Sequence, residues 1–168
     1  MTPHNIAQQY KATPIREHDA ARVFPLIQAT RSDVSLEAWL AFIAALNARY
    51  DRDPVSEKVG WPPCGILAIE SSRGYFHGVF SYNVGCTIDH HAVLEVSNFI
   101  AVDALDRAAA VKALIAVLDD VARTLRCTAI HTQLSGDWRD GALISSQLRD
   151  HFHSAGHAPR FLNFYKPL

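Results

Sequence analysis

Cysteine is scarce and badly placed for cross-linking. Cys64, Cys86 and Cys127 are odd in number and far apart. A disulfide framework is therefore not expected, and reduced thiols in a cytoplasmic protein fit best. Cys127 begins an apolar run and Cys86 follows a glycine in a loop, with no signature of a nucleophile around either. Zinc spacings are lacking as well. Of the nine histidines, His90 and His91 adjoin Asp89 in a loop-like stretch, and His151 and His153 would point to different sides of a helix. His153 and His157 are separated by Gly156, so no metal site is expected. No apolar run approaches the roughly 18 residues that a membrane span needs. The opening MTPHNIAQQYK has neither a basic n-region nor an apolar h-region, so a signal peptide is not expected there. Charge of one sign is missing too: 16 Lys and Arg against 17 Asp and Glu leave a net charge of -1. No basic run marks a nucleic-acid face, and neither nucleic acid nor a membrane is expected as a partner.

What remains is an ordinary globular composition, 49% apolar and 20% charged over 168 residues. That suffices for one core without staples. Residues 1–11 are polar and read as a flexible N-terminal segment. Residues 12–168 read as a single domain, without repeats, linkers or low-complexity tracts.

The strongest pattern is Phe99 to Leu125. An apolar run from Val93 to Val102 feeds directly into a long amphipathic helix. Val111, Leu114, Ile115, Leu118, Val121, Ala122 and Leu125 fall on one helical stripe. Asp103 can cap the start and Asp106 adds a negative charge in the first turn. A strand that runs into a helix N-terminus makes an anion site, because main-chain N–H groups and the helix dipole converge there. Without a ligand it is an ordinary strand–helix crossover.

Around this unit the chain reads in order. Ala12 to Arg16 is a short first strand. A helix capped by Asp19 runs through Ala29, with Pro25 either inside it or in the first turn of a broken second piece. Ser35 caps a helix to Ala48, with Leu36, Trp39, Leu40 and Ile43 on its apolar face. Tyr50 to Pro63 is a loop. Gly65 to Glu70 and Tyr75 to Val84 are strands joined by a tight turn at Ser71 to Gly74. In the second, Phe76, Phe80, Tyr82 and Val84 share one face, and His77, Ser81 and Asn83 the other. The Ala92 to Val102 strand follows. After the central helix come a strand within Cys127 to Leu134, a turn at Ser135 to Gly141, a helix from Ala142 to Ala155 stopped by Gly156, and a closing strand at Phe161 to Tyr165. The order is β-α-α-β-β-β-α-β-α-β. It implies an α/β domain with a mixed sheet and helices on both faces, the segment 93–134 forming a right-handed parallel crossover.

That order, with the opening PIREHDAARV, the phrase FIAVDALDRAAAVKALIAVL and the ending SAGHAPRFLNFYKPL, resembles the GCN5-related N-acetyltransferase (GNAT) superfamily over nearly the whole chain. The resemblance implies an acyl-CoA-dependent N-acyltransferase, acetyl-CoA or another acyl-CoA as co-substrate, a small-molecule amine as acceptor, and no metal. It implies that acyl-CoA lies where the strand before the central helix splays from the strand after it. Main-chain groups near Ile100 to Val102 would grip the pantetheine arm, and amides at the helix start would hold the diphosphate. The family pattern there, Gln/Arg-x-x-Gly-x-Gly/Ala, falls on Arg107, Ala108, Ala109, Ala110, Val111 and Lys112. Arg107 matches, whereas Ala110 and Lys112 stand where small residues are expected. The glycines let the backbone approach phosphates closely, so Lys112 would either obstruct the diphosphate or swing out and supply a cation to it. A helix that has lost its phosphate loop is the other reading, since alanine is the best helix former. Homodimers are common in that family, and the closing strand offers an edge that can pair.

Acyl transfer to an amine needs a base, a polarised thioester oxygen and a proton for the leaving thiolate. Many family members use a Glu on the strand before the central helix. Glu95 is the only acid on that strand here. Buried, it would be a base of raised pKa; on a solvent-facing side it would be an ordinary surface Glu. A bulge in the strand would change its face. The family's Tyr acid, four residues before the closing Gly of the last helix, falls on Phe152, which has no proton to give. His131 is the substitute, its plain reading being a histidine packed beneath the central helix. Trp39, Tyr50, Trp61 and Trp138 can wall an acceptor pocket, and Arg31, Arg49 and Arg52 can hold a carboxylate. A GNAT-like domain without catalysis, serving as a ligand-binding or interaction module, is the alternative.

Overall fold

A computed structural model describes residues 10–50, 61–102, 107–134 and 146–159. The elements are β1 (Tyr10–Pro14), a single 3-10 turn (Glu17–Asp19), α1 (Ala20–Thr30), α2 (Leu36–Tyr50), β2 (Cys64–Ser71), β3 (Phe76–Gly85), β4 (Val93–Ala101), α3 (Arg107–Thr124), β5 (Ala129–Thr132) and α4 (Ser146–Ser154). The strands form one sheet in the order β1-β2-β3-β4-β5. The first three junctions are antiparallel and the β4–β5 junction, reached through α3, is parallel. The sheet is therefore mixed and carries helices on both faces. Asp103, Asp106, the 135–141 turn, the start of the last helix, residues 1–9 and the closing strand lie outside the described residues. Tyr10 and Lys11, expected in the flexible N-terminal segment, already belong to β1 and pair with Ser71 and Glu70.

The apolar stripe of α3 packs as its spacing implies. Leu114, Leu118 and Val121 are fully buried against Leu67, Ile69, Phe80, Leu94 and Val96 of the sheet. Gly78 on β3 lies directly under this helix. A Cβ there would stand 2.5 Å from Leu114 Cδ1 and 2.9 Å from the Ile100 carbonyl oxygen, so the absence of a side chain sets the distance from helix to sheet. On the opposite face α1 and α2 bury Val23, Ile27, Trp39 and Ile43 against Ile66, Ala68, Val79 and Ile100. The Trp39 indole donates to the Ala20 carbonyl at 2.9 Å, tying α2 to the start of α1.

Three details differ from the sequence reading, and one alternative it left open is decided. Helix α1 is continuous through Pro25. Pro25 and Ala21, the residue whose carbonyl it leaves unbonded, both face solvent, where water can bond that carbonyl. Asp19 precedes α1 without capping it through its side chain. Its carboxylate accepts instead from Arg22 Nη1 at 2.9 Å and lies 3.0 Å from His18 Nε2. Ser35 does cap α2, accepting from the Ala38 amide at 3.1 Å. The buried face of α2, however, is Trp39, Phe42, Ile43 and Leu46, while Leu36 and Leu40 are each 40% exposed. The sheet is met by a wider arc on that side of the helix than the first four apolar residues define. Lastly, Phe76 packs on the α1–α2 face, away from Phe80 and Tyr82. The register slips between Ile69 and Glu70, where Gly78 and Phe76 oppose consecutive β2 residues. One residue of β3 is thereby unpaired and the two-residue alternation reverses.

Both helix ends that follow the crossover are closed by the same device. Arg126 has φ 55° and Gly156 φ 87°. After α3 the Arg126 amide donates to Arg123 and the Cys127 amide to Ala122; after α4 Gly156 donates to His153 and His157 to Phe152. These are Schellman caps, one with glycine in the left-handed position and one with arginine.

Candidate functional site

A second irregularity lies in β4. Ser81 opposes Ser97 and Val79 opposes Ile100, so three steps on β4 match two on β3. The extra residue is Asn98, with φ 53°. Asparagine tolerates this left-handed conformation better than most side chains. Its Nδ2 donates to Ser81 Oγ at 2.9 Å, while Ser81 Oγ, buried on β3, donates to the Ser97 carbonyl at 3.1 Å. The single hydroxyl proton of Ser81 goes to Ser97, which requires Asn98 to bond through its amide nitrogen.

The bulge reverses the direction of the main chain beyond it. Before Asn98 the carbonyls of Ala92 and Val96 accept from β5 and its approach, from Thr128 and Gln133, both at 2.8 Å. After it the Val102 amide donates to His77 at 2.8 Å, on the β3 side. Alternation then turns Ile100 toward β3 and turns the main-chain groups of Phe99 and Ala101 toward the β5 side. Pairing of β4 with β5 ends at Val96 and Thr132. Among the described residues β4 therefore runs on past the end of its β5 pairing, and Phe99 and Ala101 present main-chain donors and acceptors to this gap in the ladder. Those groups, rather than the ones of Ile100 and Val102, are available to an arm laid along β4. At the mouth lies a cavity of about 130 Å³, lined by Thr30 and Arg31 of the α1 end, Asn98, Phe99, Val111 and Leu148 among others.

The gap leads to α3. The helix is described from Arg107, and its first turns from there contain the AAAVK stretch. The amides of Val111 and Lys112 lie far enough along it to be those that an α-helix bonds internally. Ala110 is fully buried and Ala109 and Val111 nearly so, all in the cluster under the helix or at its edge. The methyl of Ala110 is thus taken up by packing. Ala108 and Lys112, one turn apart, are exposed on the outer side.

Glu95 and His131 are brought together. They oppose each other across the parallel β4–β5 ladder, on the face turned away from α3. Glu95 is exposed, and its Oε2 accepts from Asn83 Nδ2 at 2.7 Å. Its carboxylate lies over Gly85, where a Cβ would come within 2.8 Å of Oε1. His131 is half-buried and meets His90 edge-on, with ring centroids 6.4 Å apart. It does not lie beneath the central helix: Ile130, its neighbour, packs on the α3 side, so His131 points the other way. Phe152 is buried, with its ring edge-on to Phe99 at 5.1 Å and to His157 at 5.0 Å. Of the aromatic wall, Trp39 is core, and Trp61 donates to Asp120 Oδ2 at 3.2 Å on the α3 side. Arg31 lines the cavity and pairs with Asp33 at 3.1 Å. Arg49 is exposed. Trp138 and Arg52 fall outside the described residues, as does the side chain of Tyr50. Burial pushes the Cys127 thiol above its ordinary value.

No protein-family model matches the chain, and no curated protein matches it in sequence. Solved structures do match in shape. An acetyltransferase of Trypanosoma brucei superposes with a TM-score of 0.66 at 16% identity, over 95% of this chain and 99% of that one. The fold is that of the GNAT acetyltransferases. Aminoglycoside N-acetyltransferase AAC(6')-Iy in complex with CoA has a TM-score of 0.65 at 11% identity, over 99% of both chains. Ribosomal-protein-alanine N-acetyltransferase from Brucella melitensis has 0.65 at 12%, over 95% of this chain and 99% of that one. At these identities the GNAT likeness concerns the fold.

Among the described residues, no group of three or more His, Cys, Asp or Glu side chains is placed to hold a metal ion, and no helix is long and apolar enough to cross a membrane. Sequence reasoning passed over two residues of this region, Asn98 and Thr132. Asn98 had a signal: an asparagine in the middle of an apolar strand is out of place unless the strand bulges. Thr132 had none.

Proposed function

We propose that the chain is an acyl-CoA-dependent N-acyltransferase acting on a primary amine of a small molecule. The observation that carries this reading is the bulge at Asn98. It turns the main chain of Phe99 and Ala101 into the gap between β4 and β5 and lines that gap up with the positive end of α3. An acyl-CoA fits this path with its diphosphate at residues 107–110 and its arm paired to Ala101 and Phe99 as an added strand. The exposed Lys112 lies where it can meet the diphosphate with positive charge, and Arg107 matches the family's residue for the same role. Acetyl is the acyl group that the likeness in fold to acetyltransferases suggests. Glu95, with His131 beside it, takes the proton of the attacking amine, directly or through a water. None of Cys64, Cys86 and Cys127 is in a disulfide, which fits a reducing, cytoplasmic setting.

Isothermal titration with acetyl-CoA and with free CoA tests the reading. Micromolar, one-to-one binding supports it; no binding at millimolar ligand sinks it. An amine screen then compares the wild type with Glu95→Gln, which should lose about 10²–10⁴-fold in turnover if Glu95 is the base. Lys112→Gly weakens CoA binding if Lys112 is a ligand and strengthens it if the side chain obstructs. One feature favours a second reading, a ligand-binding module without catalysis: Phe152 fills the place of a proton donor with a buried ring that has none.

A further inference from the structure

Thr132 carries an unexplained polar atom. Its Oγ1 is buried and has no hydrogen-bond partner, alone in this among the buried side-chain nitrogens and oxygens of the described residues. Such a group forfeits its bonds to water for nothing in return, and proteins rarely leave one without a reason. The flanking side chains on its face of the sheet are apolar, Val96 directly across the ladder and Ile130 two residues before it. A trapped water would find few other partners there.

Its place in the fold suggests the reason. Thr132 ends β5, and the bond from the Gln133 amide to Val96 is the final rung before the strands part. The hydroxyl therefore stands at the apex of the gap, on the face of α3 and α4. The path of an acyl-CoA runs from the start of α3 back along Ala101 and Phe99, at about 3.3 Å per residue of strand. It delivers the thioester to that apex. Phe152, which shares the groove with Thr132, offers a leaving sulfur only a ring.

We propose that the Thr132 hydroxyl donates a hydrogen bond to the departing sulfur of the acyl-CoA, so that Thr132 is a catalytic residue that stabilises the thiolate where Phe152 cannot. This rests on the acyl-transfer reading. In the step, the amine nitrogen forms the new C–N bond to the thioester carbonyl carbon. The C–S bond breaks with its electron pair going to sulfur, and the amine proton passes to the Glu95 carboxylate. Thr132 keeps its proton and shares it with the sulfur. The thiolate is protonated from solvent on release.

Free CoA is the probe, because its thiol is the product of the step. The thiolate absorbance of saturated complexes is titrated against pH for the wild type, Thr132→Val and Thr132→Ser. Glu95 of β4, His131 of β5, Asp119 of α3, and Arg149, His153 and His157 of α4 and its cap line the same groove and are common to all three proteins. With the hydroxyl present, in the wild type and Thr132→Ser, the bound thiol should ionise about one pH unit lower than in Thr132→Val, a tenfold difference in ionisation constant. CoA affinity at low pH, where the thiol is neutral, should be alike in all three. Thr132→Ala gives the same comparison if valine disturbs the fold. Superimposable titrations overturn the proposal and leave the acyl-transfer reading standing. A wild type that does not bind CoA overturns both.

Discussion

Replacing Gly78 by alanine should loosen the whole α3 face. The added methyl would sit 2.5 Å from Leu114 Cδ1 and 2.9 Å from the Ile100 carbonyl oxygen, both well inside van der Waals contact. Leu114 is fully buried and cannot swing aside, and the carbonyl belongs to the strand beside the bulge. Relief requires α3 to lift or β4 to bend. Overpacking of this kind costs about 1–3 kcal/mol. Against it stands the roughly 0.4–1 kcal/mol that a compatible Gly→Ala change contributes through the unfolded chain. The expected net loss is about 1–2 kcal/mol, or a fall of about 2–8 °C in melting temperature for a domain of this size. Urea unfolding of wild type, Gly78→Ala, Leu114→Ala and the double variant measures it. Leu114→Ala alone should cost about 2–5 kcal/mol through its cavity. The double variant should cost less than the sum by about 1 kcal/mol, since the new methyl fills part of that cavity. An unchanged stability of Gly78→Ala, or strict additivity, would refute the packing argument.

Four further outcomes can be measured. Arg126→Gly should stabilise the protein by up to about 1 kcal/mol in chemical denaturation, because glycine occupies the left-handed cap of α3 without strain. Asn98→Gly should leave stability within about 1 kcal/mol of wild type, whereas Asn98→Val, with a β-branched side chain at φ 53°, should lose about 2 kcal/mol or more. Trp39→Phe should cost about 1–3 kcal/mol in the same assay, as it leaves the Ala20 carbonyl buried without its donor. Maleimide should label the exposed Cys86 first and Cys127 last. The Cys127 thiol is held protonated by burial, so it should react appreciably only above the ordinary thiol range. Its folded value lies above its unfolded one, so the preference for folding with a neutral thiol holds at neutral pH and is lost as pH rises through that folded value.

The fold was legible where periodicity is long and one-sided. The α3 stripe from Val111 to Ala122 is buried as spaced, and the strands before and after it pair in parallel. Legibility failed where one residue resets the count. The alternation in β3 ran on through Phe76 because nothing in the sequence announces the slip near His77. Leu36 and Leu40 looked like core because a helical wheel marks apolar residues and not the side on which a sheet will arrive. At the site, Glu95 and His131 were visible as residue types in a strand, but their meeting across the ladder depends on register. The orphaned hydroxyl of Thr132 depends on what packs around it, which no single sequence declares.

The bulge in β4 acts as a phase shift in a pattern of period two. Residues before Asn98 that face α3 carry even numbers, Leu94 and Val96; those after it carry odd numbers, Phe99 and Ala101. The ladder has room for one residue between Ser97 and Ile100, and the chain supplies two, Asn98 and Phe99. A change of length here has a different character from a change of side chain. Deleting Asn98 would leave composition, propensity and apolar content almost untouched. It would also leave Phe99 and Ala101 on the α3 face with their main chain still toward β5. It would remove the kink, however, so that β4 runs straight on beside β5 and the gap closes. The site is written in that one supernumerary residue, and a variant that shortens this segment by one should lose the cleft even where the remaining residues all keep their identities and their faces.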